Sequence, residues 1–438
     1  MRYRTYCTDH GPYTQSRLHF APAGVRPLCG STNPIVTSPI RLTRCLHCQS
    51  SGRPVGGQGG LGELEILAFI ATYKTTSLSG GKESNSAPAI KNNSNDNLII
   101  GELNEELAVE EKWKRKPSPY RESDAPAGAG QILVRTKAVS LNYRDKLVIE
   151  DKYPLPISYP LVPGSDLAGE VVAVGSGVSR FKTGDQVISH FRPKWLRGVP
   201  SHEELRENLG GPLPGVLAEY VLLSEQGALA YPDYLTPAEA STLPVALVTA
   251  WVALFTLGNL KPGETVLLQG SGGVSLFALQ LAVAHGARVL VTSTSPGKVA
   301  RLKQLGAAEV IDASVNPAWD EVVLRLTDGR GADHILDVIG GGAVPRSIEA
   351  AAWRGHIALI GIMDRPATTI SIPNVMVKNL RLQGVSHGSR ADMEESLAFA
   401  EKHRIPPVID ARYTFDAVPD ALDHLDRGPF GKVVVEIN

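Results

Sequence analysis

The stretch Thr265-Val-Leu-Leu-Gln-Gly-Ser-Gly-Gly-Val-Ser275, which continues as Leu276-Phe-Ala-Leu-Gln-Leu-Ala-Val-Ala-His285, decides the fold. It reads as an apolar strand, a glycine turn and an apolar helix. Glycines in such a turn let the backbone pass close to a pyrophosphate, and the following helix directs free N–H groups and its positive dipole end at that anion. The stretch therefore predicts a dinucleotide site, formed by Gly270, Ser271, Gly272, Gly273 and Val274.

Short apolar runs alternate with helical patterns through the rest of this half of the chain. Strands are predicted over residues 288–292, 309–312, 334–339, 356–361 and 380–384, and helices over residues 296–305, 317–326 and 343–352. Runs that are apolar throughout are typical of strands buried on both faces, so the pattern indicates a doubly wound parallel sheet of six strands. The cofactor then lies at the carboxyl ends of the strands, which adds Gly361 to the predicted binding residues.

The end of the second strand indicates which nicotinamide cofactor is bound. NAD sites usually carry Asp or Glu about 20 residues beyond the glycine turn. Ser293 stands there in this chain, followed by Thr294, and Lys298 lies a few residues further on. No carboxylate repels a 2′-phosphate and these side chains can donate to it, so NADP(H) is favoured over NAD(H). The alternative is that they are ordinary turn and helix-capping residues.

Composition limits the class of protein. The chain has 438 residues and a net charge of −1, with 20% charged and 43% hydrophobic residues. This balance gives no reason to expect a nucleic-acid or membrane partner and favours a small-molecule substrate. The apolar run at residues 66–71 is too short to span a bilayer.

Residues 1–125 differ from the remainder and predict a disordered or atypical N-terminal extension. Residues 1–62 contain seven arginines, no lysine, one acid and all four cysteines, and residues 79–97 are too polar to fold alone. An Arg-rich start is compatible with mitochondrial targeting, but its prolines favour an extension or a misassigned coding start in a cytoplasmic protein. Cys45-Leu-His-Cys48 lacks the second ligand pair that a structural zinc needs. We expect cofactor binding to survive removal of residues 1–97.

An all-β pattern lies between this extension and the glycine turn. Strands are predicted over residues 131–139, 169–175, 184–188 and 217–223, and several of them are bounded by glycine. Short strands joined by glycine turns indicate a small barrel-like domain.

The motifs of residues 126–438 together resemble the medium-chain dehydrogenase/reductase superfamily, in particular its zinc-independent quinone oxidoreductases and enoyl reductases. Besides the glycine turn, the matching pieces are Ala138-Val-Ser-Leu-Asn-Tyr-Arg-Asp145, Pro163-Gly-Ser-Asp-Leu-Ala-Gly-Glu-Val-Val172, Phe181-Lys-Thr-Gly-Asp-Gln-Val187, Ala240-Ser-Thr-Leu-Pro244 with Thr249-Ala-Trp251, Lys303-Gln-Leu-Gly-Ala307, Gly329-Arg-Gly-Ala-Asp333 and Phe430-Gly-Lys-Val-Val434.

The resemblance implies a particular domain order. A GroES-like β-barrel catalytic domain is expected over residues 126–245 and again over 386–438, around a Rossmann NADP-binding domain at residues 246–385. It also implies a strand before residue 131, for which residues 98–110 are the candidate, and a homodimer through the edge of the nucleotide domain.

The resemblance further implies a metal-free reaction. Zinc-dependent relatives carry Cys, His and Cys where this chain has Asn142, Ser165 and Val245, and residues 189–216 lack the cysteines of a structural-zinc lobe. Without a Lewis acid, a conjugated carbonyl, enoyl or quinone acceptor is easier to reduce than a simple alcohol is to oxidise. A metal-free alcohol dehydrogenase and a non-catalytic NADPH-binding protein remain as alternatives.

Hydrogen-bond donors are the candidate catalytic groups. The resemblance places Asn142, Tyr143 and Tyr153 near the nicotinamide, where a donor can stabilise negative charge on a substrate carbonyl. It also places Thr249 beside the nicotinamide. The alternative is that both tyrosines only pack in and around the barrel.

Overall fold

The computed structural model describes residues 127–153, 156–364 and 367–437. The strands in chain order are β1 (Gln131–Leu141), β2 (Asp166–Val174), β3 (Gln186–Ser189), β4 (Tyr220–Ser224), β5 (Ala228–Ala230), β6 (Thr265–Gln269), β7 (Arg288–Ser293), β8 (Glu309–Asp312), β9 (Ala332–Asp337), β10 (Ala351–Leu359), β11 (Arg381–Gly384), β12 (Ile409–Thr414) and β13 (Lys432–Glu436). The α-helices are α1 (Tyr143–Ile149), α2 (His202–Arg206), α3 (Pro237–Ala240), α4 (Leu243–Trp251), α5 (Gly273–Ala284), α6 (Val299–Gln304), α7 (Trp319–Leu326), α8 (Ala343–Ala350), α9 (Ile372–Val377), α10 (Arg390–His403) and α11 (Val418–Asp426).

Seven strands form the first sheet, in the order β12-β13-β1-β2-β3-β5, with β4 also paired to β1. All pairs are antiparallel except β12 with β13. The C-terminal strand β13 returns to the N-terminal strand β1, with Val139 opposite Val435. The predicted barrel-like domain is therefore confirmed, and β13 from the C-terminal part of the chain belongs to its sheet.

Six parallel strands form the second sheet, in the order β11-β10-β9-β6-β7-β8. This is the dinucleotide-binding order, and it reverses between β6 and β9, where the glycine turn leaves the sheet. In β6, Val266 and Leu268 join the hydrophobic cluster that contains α4 and α5, while Leu267 joins the cluster that contains α7 and α8. The central strand is thus buried on both faces, as its unbroken apolar sequence predicts.

Local chemistry explains where boundaries differ from the prediction. The helix predicted to reach residue 352 ends at Ala350, because Ala351 pairs with Ala332 and starts β10 early. Arg354 then adopts a left-handed φ of 63° at an irregularity in the ladder. No bounds were predicted for β5, β12 and β13 or for the helices α1 to α4, α9, α10 and α11. The predicted extension and the candidate strand at residues 98–110 lie outside the described residues. No helix in the described ranges is long and apolar enough to cross a bilayer.

Candidate active site

The glycine turn leaves open space in front of a helix N-terminus. Gly270 has a φ of 70°, a conformation that suits glycine, and Gly272 is the N-cap of α5 without any side-chain cap. A Cβ added to Gly272 would meet no atom within 4 Å. The Ser275 hydroxyl donates to the Gln269 carbonyl over 2.7 Å and ties the helix to the strand end. The uncapped N–H groups and the free space together fit a cofactor pyrophosphate.

The other predicted cofactor residues lie around the same edge of the parallel sheet. Gly361 follows β10, and a Cβ there would stand 1.6 Å from the Val338 carbonyl oxygen, so this glycine lets two strand-end loops touch. The Ser271 carbonyl accepts from Gly431 N–H over 2.9 Å, which joins the turn to the start of β13. Thr249 is buried on α4, which packs against α5.

The residues predicted to select NADP(H) stand at the end of β7. The Ser293 hydroxyl accepts from Ser295 N–H over 3.2 Å. Ser293 is buried, with 5% of its surface exposed. The Lys298 ammonium donates to the carbonyls of Gly428 and Pro429 over 2.5 and 3.4 Å. Contact with a 2′-phosphate therefore requires this ammonium to share or leave those carbonyls.

The three positions that hold zinc in related enzymes meet around one buried carboxylate. Asn142 Nδ2 lies 3.5 Å from Ser165 Oγ, and that hydroxyl donates to Asp166 Oδ1 over 2.7 Å. Val245 N–H donates to Asp166 Oδ2 over 3.3 Å. The donor set is an amide, a hydroxyl and an apolar side chain, and it does not fit Zn²⁺, which prefers thiolate, imidazole and carboxylate.

A buried lysine occupies the neighbouring space. Lys432 Nζ donates to Asn142 Oδ1 over 2.7 Å and to the Leu141 carbonyl over 3.0 Å, and it lies 3.7 Å from Asp166 Oδ2. A Cβ added to Gly273 would lie 2.5 Å from Lys432 Cδ, so the stem of the lysine packs against the glycine turn. Burial lowers the pKa of Lys432 and raises that of Asp166, while their opposite charges act in the other direction.

A second buried carboxylate shapes the start of α1. Asp145 Oδ2 accepts from Asn142 N–H over 2.8 Å in a capping box, which fixes the backbone at Asn142. Burial raises the pKa of Asp145 to about 6, against the opposing charges of Arg144 and Lys432.

The two candidate tyrosines have different surroundings. Tyr143 is the first residue of α1 and is half-buried. The Tyr153 ring stacks under the Arg144 guanidinium, with 4.8 Å between Arg144 Cζ and the ring centre. The structure thus groups Asn142 with Ser165 and Lys432, and Tyr153 with Arg144.

Comparison with known proteins accounts for both sheets. Residues 128–233 match the family described as alcohol dehydrogenase GroES-like domain, and residues 273–402 match the family described as zinc-binding dehydrogenase. A zinc-type alcohol dehydrogenase-like protein from Schizosaccharomyces pombe is 37% identical over 330 residues, which are 74% of this chain and 95% of the relative. The chain belongs to the medium-chain dehydrogenase/reductase superfamily.

Two further relatives of this superfamily match over most of their length. A solved structure from Sinorhizobium meliloti, provisionally named an alcohol dehydrogenase, is 48% identical with a TM-score of 0.68, covering 71% of this chain and 92% of that one. A quinone oxidoreductase-like protein 2 homolog from Nematostella vectensis is 28% identical, covering 77% of this chain and 88% of the relative. As a member, the chain is an oxidoreductase that uses a nicotinamide cofactor.

Sequence reasoning named Asn142 but missed the residues that hold it. Lys432 lies inside a motif that carries the resemblance to the medium-chain dehydrogenases, yet no local pattern brings it to a residue 290 positions earlier. Asp166 directly follows Ser165 in the sequence. Its position next to one of the three residues aligned with zinc ligands could therefore have identified it.

Proposed function

We propose that this chain is a zinc-independent, NADPH-dependent reductase of conjugated carbonyl, enoyl or quinone substrates. The observation that carries the proposal is the Asn142, Ser165 and Val245 set beside the glycine turn, with the Lys432 ammonium on the Asn142 amide oxygen. The Lys432 ammonium repels a metal ion at this point. Hydrogen-bond donors then take the role that a Lewis acid has in a zinc enzyme.

The mechanism assigns Asn142 the role of principal donor. NADPH held at the glycine turn of Gly270, Gly272 and Gly273 would supply a hydride, which the substrate double bond would take up together with one proton. Negative charge then grows on the substrate carbonyl oxygen, where a positioned donor lowers the barrier by about 3–4 kcal/mol. Because Lys432 holds the Asn142 oxygen, the amide nitrogen of Asn142 is the end left to donate, and its 3.5 Å contact with Ser165 is long enough to be exchanged for substrate.

The two tyrosines remain proposed second donors. A phenol can stabilise the growing charge and then pass a proton to the substrate. Tyr153→Phe and Tyr143→Phe are expected to lower turnover while leaving NADPH affinity unchanged, whereas full turnover in both would remove the tyrosines from the mechanism.

A substrate screen tests the reaction class. NADPH oxidation is measured with a quinone, a 2-enal and an enone, and NADP⁺ reduction with simple alcohols, in the same protein preparation and with its metal content determined. We expect turnover of the conjugated acceptors, insensitivity to chelators and a strong loss in Asn142→Ala. About one zinc per chain with activity lost on chelation, or turnover of alcohols alone, would support the alcohol dehydrogenase alternative instead, which the names of two relatives favour.

We also propose that NADPH is preferred over NADH. Ser293 offers a hydroxyl and no carboxylate at the end of β7, and Lys298 and Arg301 supply positive charge nearby. Ser293→Asp is expected to weaken NADPH binding about tenfold or more and to shift preference toward NADH, because a carboxylate repels the 2′-phosphate. The check is the ratio of the two dissociation constants, with Ser314→Asp as a control in the next loop, and an unchanged ratio contradicts the assignment.

A homodimer is proposed through the β11 edge of the parallel sheet. β11 is an edge strand, and α9 just before it exposes Ile372, Met376 and Val377 by 55%, 69% and 59%. An unpaired strand edge beside exposed apolar residues is the kind of surface that pairs with a second copy.

The cytoplasmic location stays a prediction from composition.

A further inference from the structure

Two arginines flank one aromatic ring next to the candidate active site. Arg144 Cζ lies 4.9 Å and Arg192 Cζ 5.6 Å from the centre of the Phe191 ring. Tyr153 lies 4.8 Å from Arg144 Cζ, and Trp195 lies 5.6 Å from Arg192 Cζ. We call Arg144, Arg192 and these three rings the arginine pocket.

Both arginines hold their charge among neutral partners. Arg144 donates to the carbonyls of Leu209, Gly210 and Gly211 over 3.1, 3.2 and 2.6 Å. Arg192, which is 7% exposed, donates from Nε to Asn208 Oδ1 over 2.8 Å and from Nη1 to Ser386 Oγ over 3.1 Å. In the ranges that the structure describes, no carboxylate lies within salt-bridge distance of Arg192, and Arg144 has only Asp145 at 3.9 Å. Buried charges in proteins are usually paired with an opposite charge. Arg192 lacks such a partner, so the arginine pocket carries an uncompensated positive charge.

Two buried donors in the same place have no acceptor in the described protein. They are Asn208 Nδ2, on the amide whose oxygen binds Arg192, and Arg144 Nε. Buried N–H groups without acceptors cost stability unless a ligand or water accepts from them. This observation is independent of the charge, and it points to the same missing group, an acceptor that carries negative charge.

The pocket borders the reacting end of the site. Ser386, which contacts Arg192, follows β11 at the carboxyl ends of the parallel strands, where a dinucleotide binds. On the other side, Ser189 donates to the Ser165 carbonyl over 2.7 Å, and β3 ends at this serine, shortly before Arg192 in the chain. Arg144 lies two residues after Asn142 on the capped start of α1.

From this arrangement we infer that the substrate is an anionic conjugated carbonyl, whose carboxylate is bound in the arginine pocket by Arg192 with help from Asn208. The inference rests on the proposed reductase function and deepens it. Arg192 Nη2 has no acceptor among the described residues and can donate to a carboxylate oxygen, and the aromatic rings around the guanidinium exclude water and strengthen the attraction. The carboxylate anchors one end of the substrate while its carbonyl oxygen reaches Asn142.

The test compares a carboxylate with its neutral ester in matched variants. Reduction of 4-oxopent-2-enoate and of its methyl ester by NADPH is measured for wild type, Arg192→Met and Arg192→Lys, with the exposed Arg197→Met as control. We expect Arg192→Met to lower kcat/KM for the carboxylate by about 10- to 100-fold and for the ester by less than about threefold. Arg192→Lys keeps part of the preference, and Arg197→Met changes neither rate.

A binding measurement separates this inference from the proposed function. Titration of the enzyme–NADPH complex with 4-oxopentanoate and with its methyl ester, followed by cofactor fluorescence, reports affinity without turnover. Tighter binding of the carboxylate that disappears in Arg192→Met supports the pocket even if no reduction occurs, in which case only the proposed function fails. Equal affinity of wild type for acid and ester, or equal losses for both in a folded Arg192→Met, overturns the pocket.

Discussion

At the scale of single residues, buried charged groups cluster around Asn142 in the candidate site. Lys432, Asp166 and Asp145 are each less than 5% exposed, and they surround the Asn142 amide. Removing a charge from water costs several kcal/mol, which an ion pair and hydrogen bonds must offset. Removing one of these charged groups therefore leaves another buried without its partner. We expect substitutions at these positions to change the free energy of unfolding.

Substitution of Lys432 is expected to destabilise the fold through Asp166. Lys432→Met leaves that carboxylate buried without its counter-ion, and the free energy of unfolding should fall by about 3–5 kcal/mol. Adding Asp166→Asn to the same chain should recover part of the loss. Urea unfolding measures both, with the exposed Lys402→Met as control. Independent, additive effects of the two substitutions would show that the pair is not coupled.

Asp145 is expected to make stability depend on pH. Its pKa in the folded chain is about 6, above the ordinary value near 3.8. Between pH 4 and pH 6 the folded state thus binds more protons than the unfolded state, so stability falls as pH rises through this window and stays lower above it. Asp145→Asn should gain stability relative to wild type across the window, on the order of 3 kcal/mol. Exposed Asp423→Asn should gain none, and parallel stability curves for Asp145→Asn and wild type would contradict the assignment.

At the scale of elements, Gly272 in the turn between β6 and α5 and Gly361 after β10 differ in the space that a side chain would meet. Gly272 has open space in front of it and an extended backbone that any residue adopts, with φ −74° and ψ 173°. Gly361 has a carbonyl oxygen where a Cβ would go. The two positions therefore respond differently to the same methyl group.

Gly272→Ala is expected to weaken NADPH binding about tenfold or more while leaving the melting temperature unchanged, because the methyl enters the space of the pyrophosphate. Gly361→Ala should instead lower the free energy of unfolding by at least about 2 kcal/mol, because the loops after β9 and β10 must separate. Gly384→Ala, with free space but away from the turn, is the control for both measurements. A Gly272→Ala protein with normal NADPH affinity would show that the cofactor lies elsewhere.

At the scale of the whole molecule, the chain crosses between its two sheets and closes on itself. β13 returns to β1, and its first residue, Lys432, packs on the glycine turn of the parallel sheet. The candidate site is thus assembled from both sheets.

A dimer is the expected state in solution. Met376→Lys combined with Val377→Lys should convert it to a monomer, because two charges on the exposed face of α9 oppose its burial against a second copy. Sedimentation measures the mass, and Val199→Lys, exposed by 95% in the loop before α2, is the control. A wild-type monomer, or a dimer that survives both lysines, would place the interface elsewhere.

Local patterns in the sequence determined the parallel sheet and its cofactor edge. Unbroken apolar runs marked strands buried on both faces, and the run that precedes the glycine turn forms β6. The glycine turn fixed the helix start because left-handed backbone and uncapped N–H groups are local properties. Boundaries shifted where pairing between distant segments intervened, as at Ala351 with Ala332.

The active-site network and the arginine pocket were decided by tertiary structure alone. Asn142 was visible as a candidate because it sits at a motif position, but its amide is oriented by Lys432, from the far end of the chain. Arg192 became a candidate only when folding buried it against Ser386 without a carboxylate. Periodicity and turn chemistry act over a few residues and are written in the sequence, whereas the pairing of buried charges depends on which distant segments the fold brings into contact.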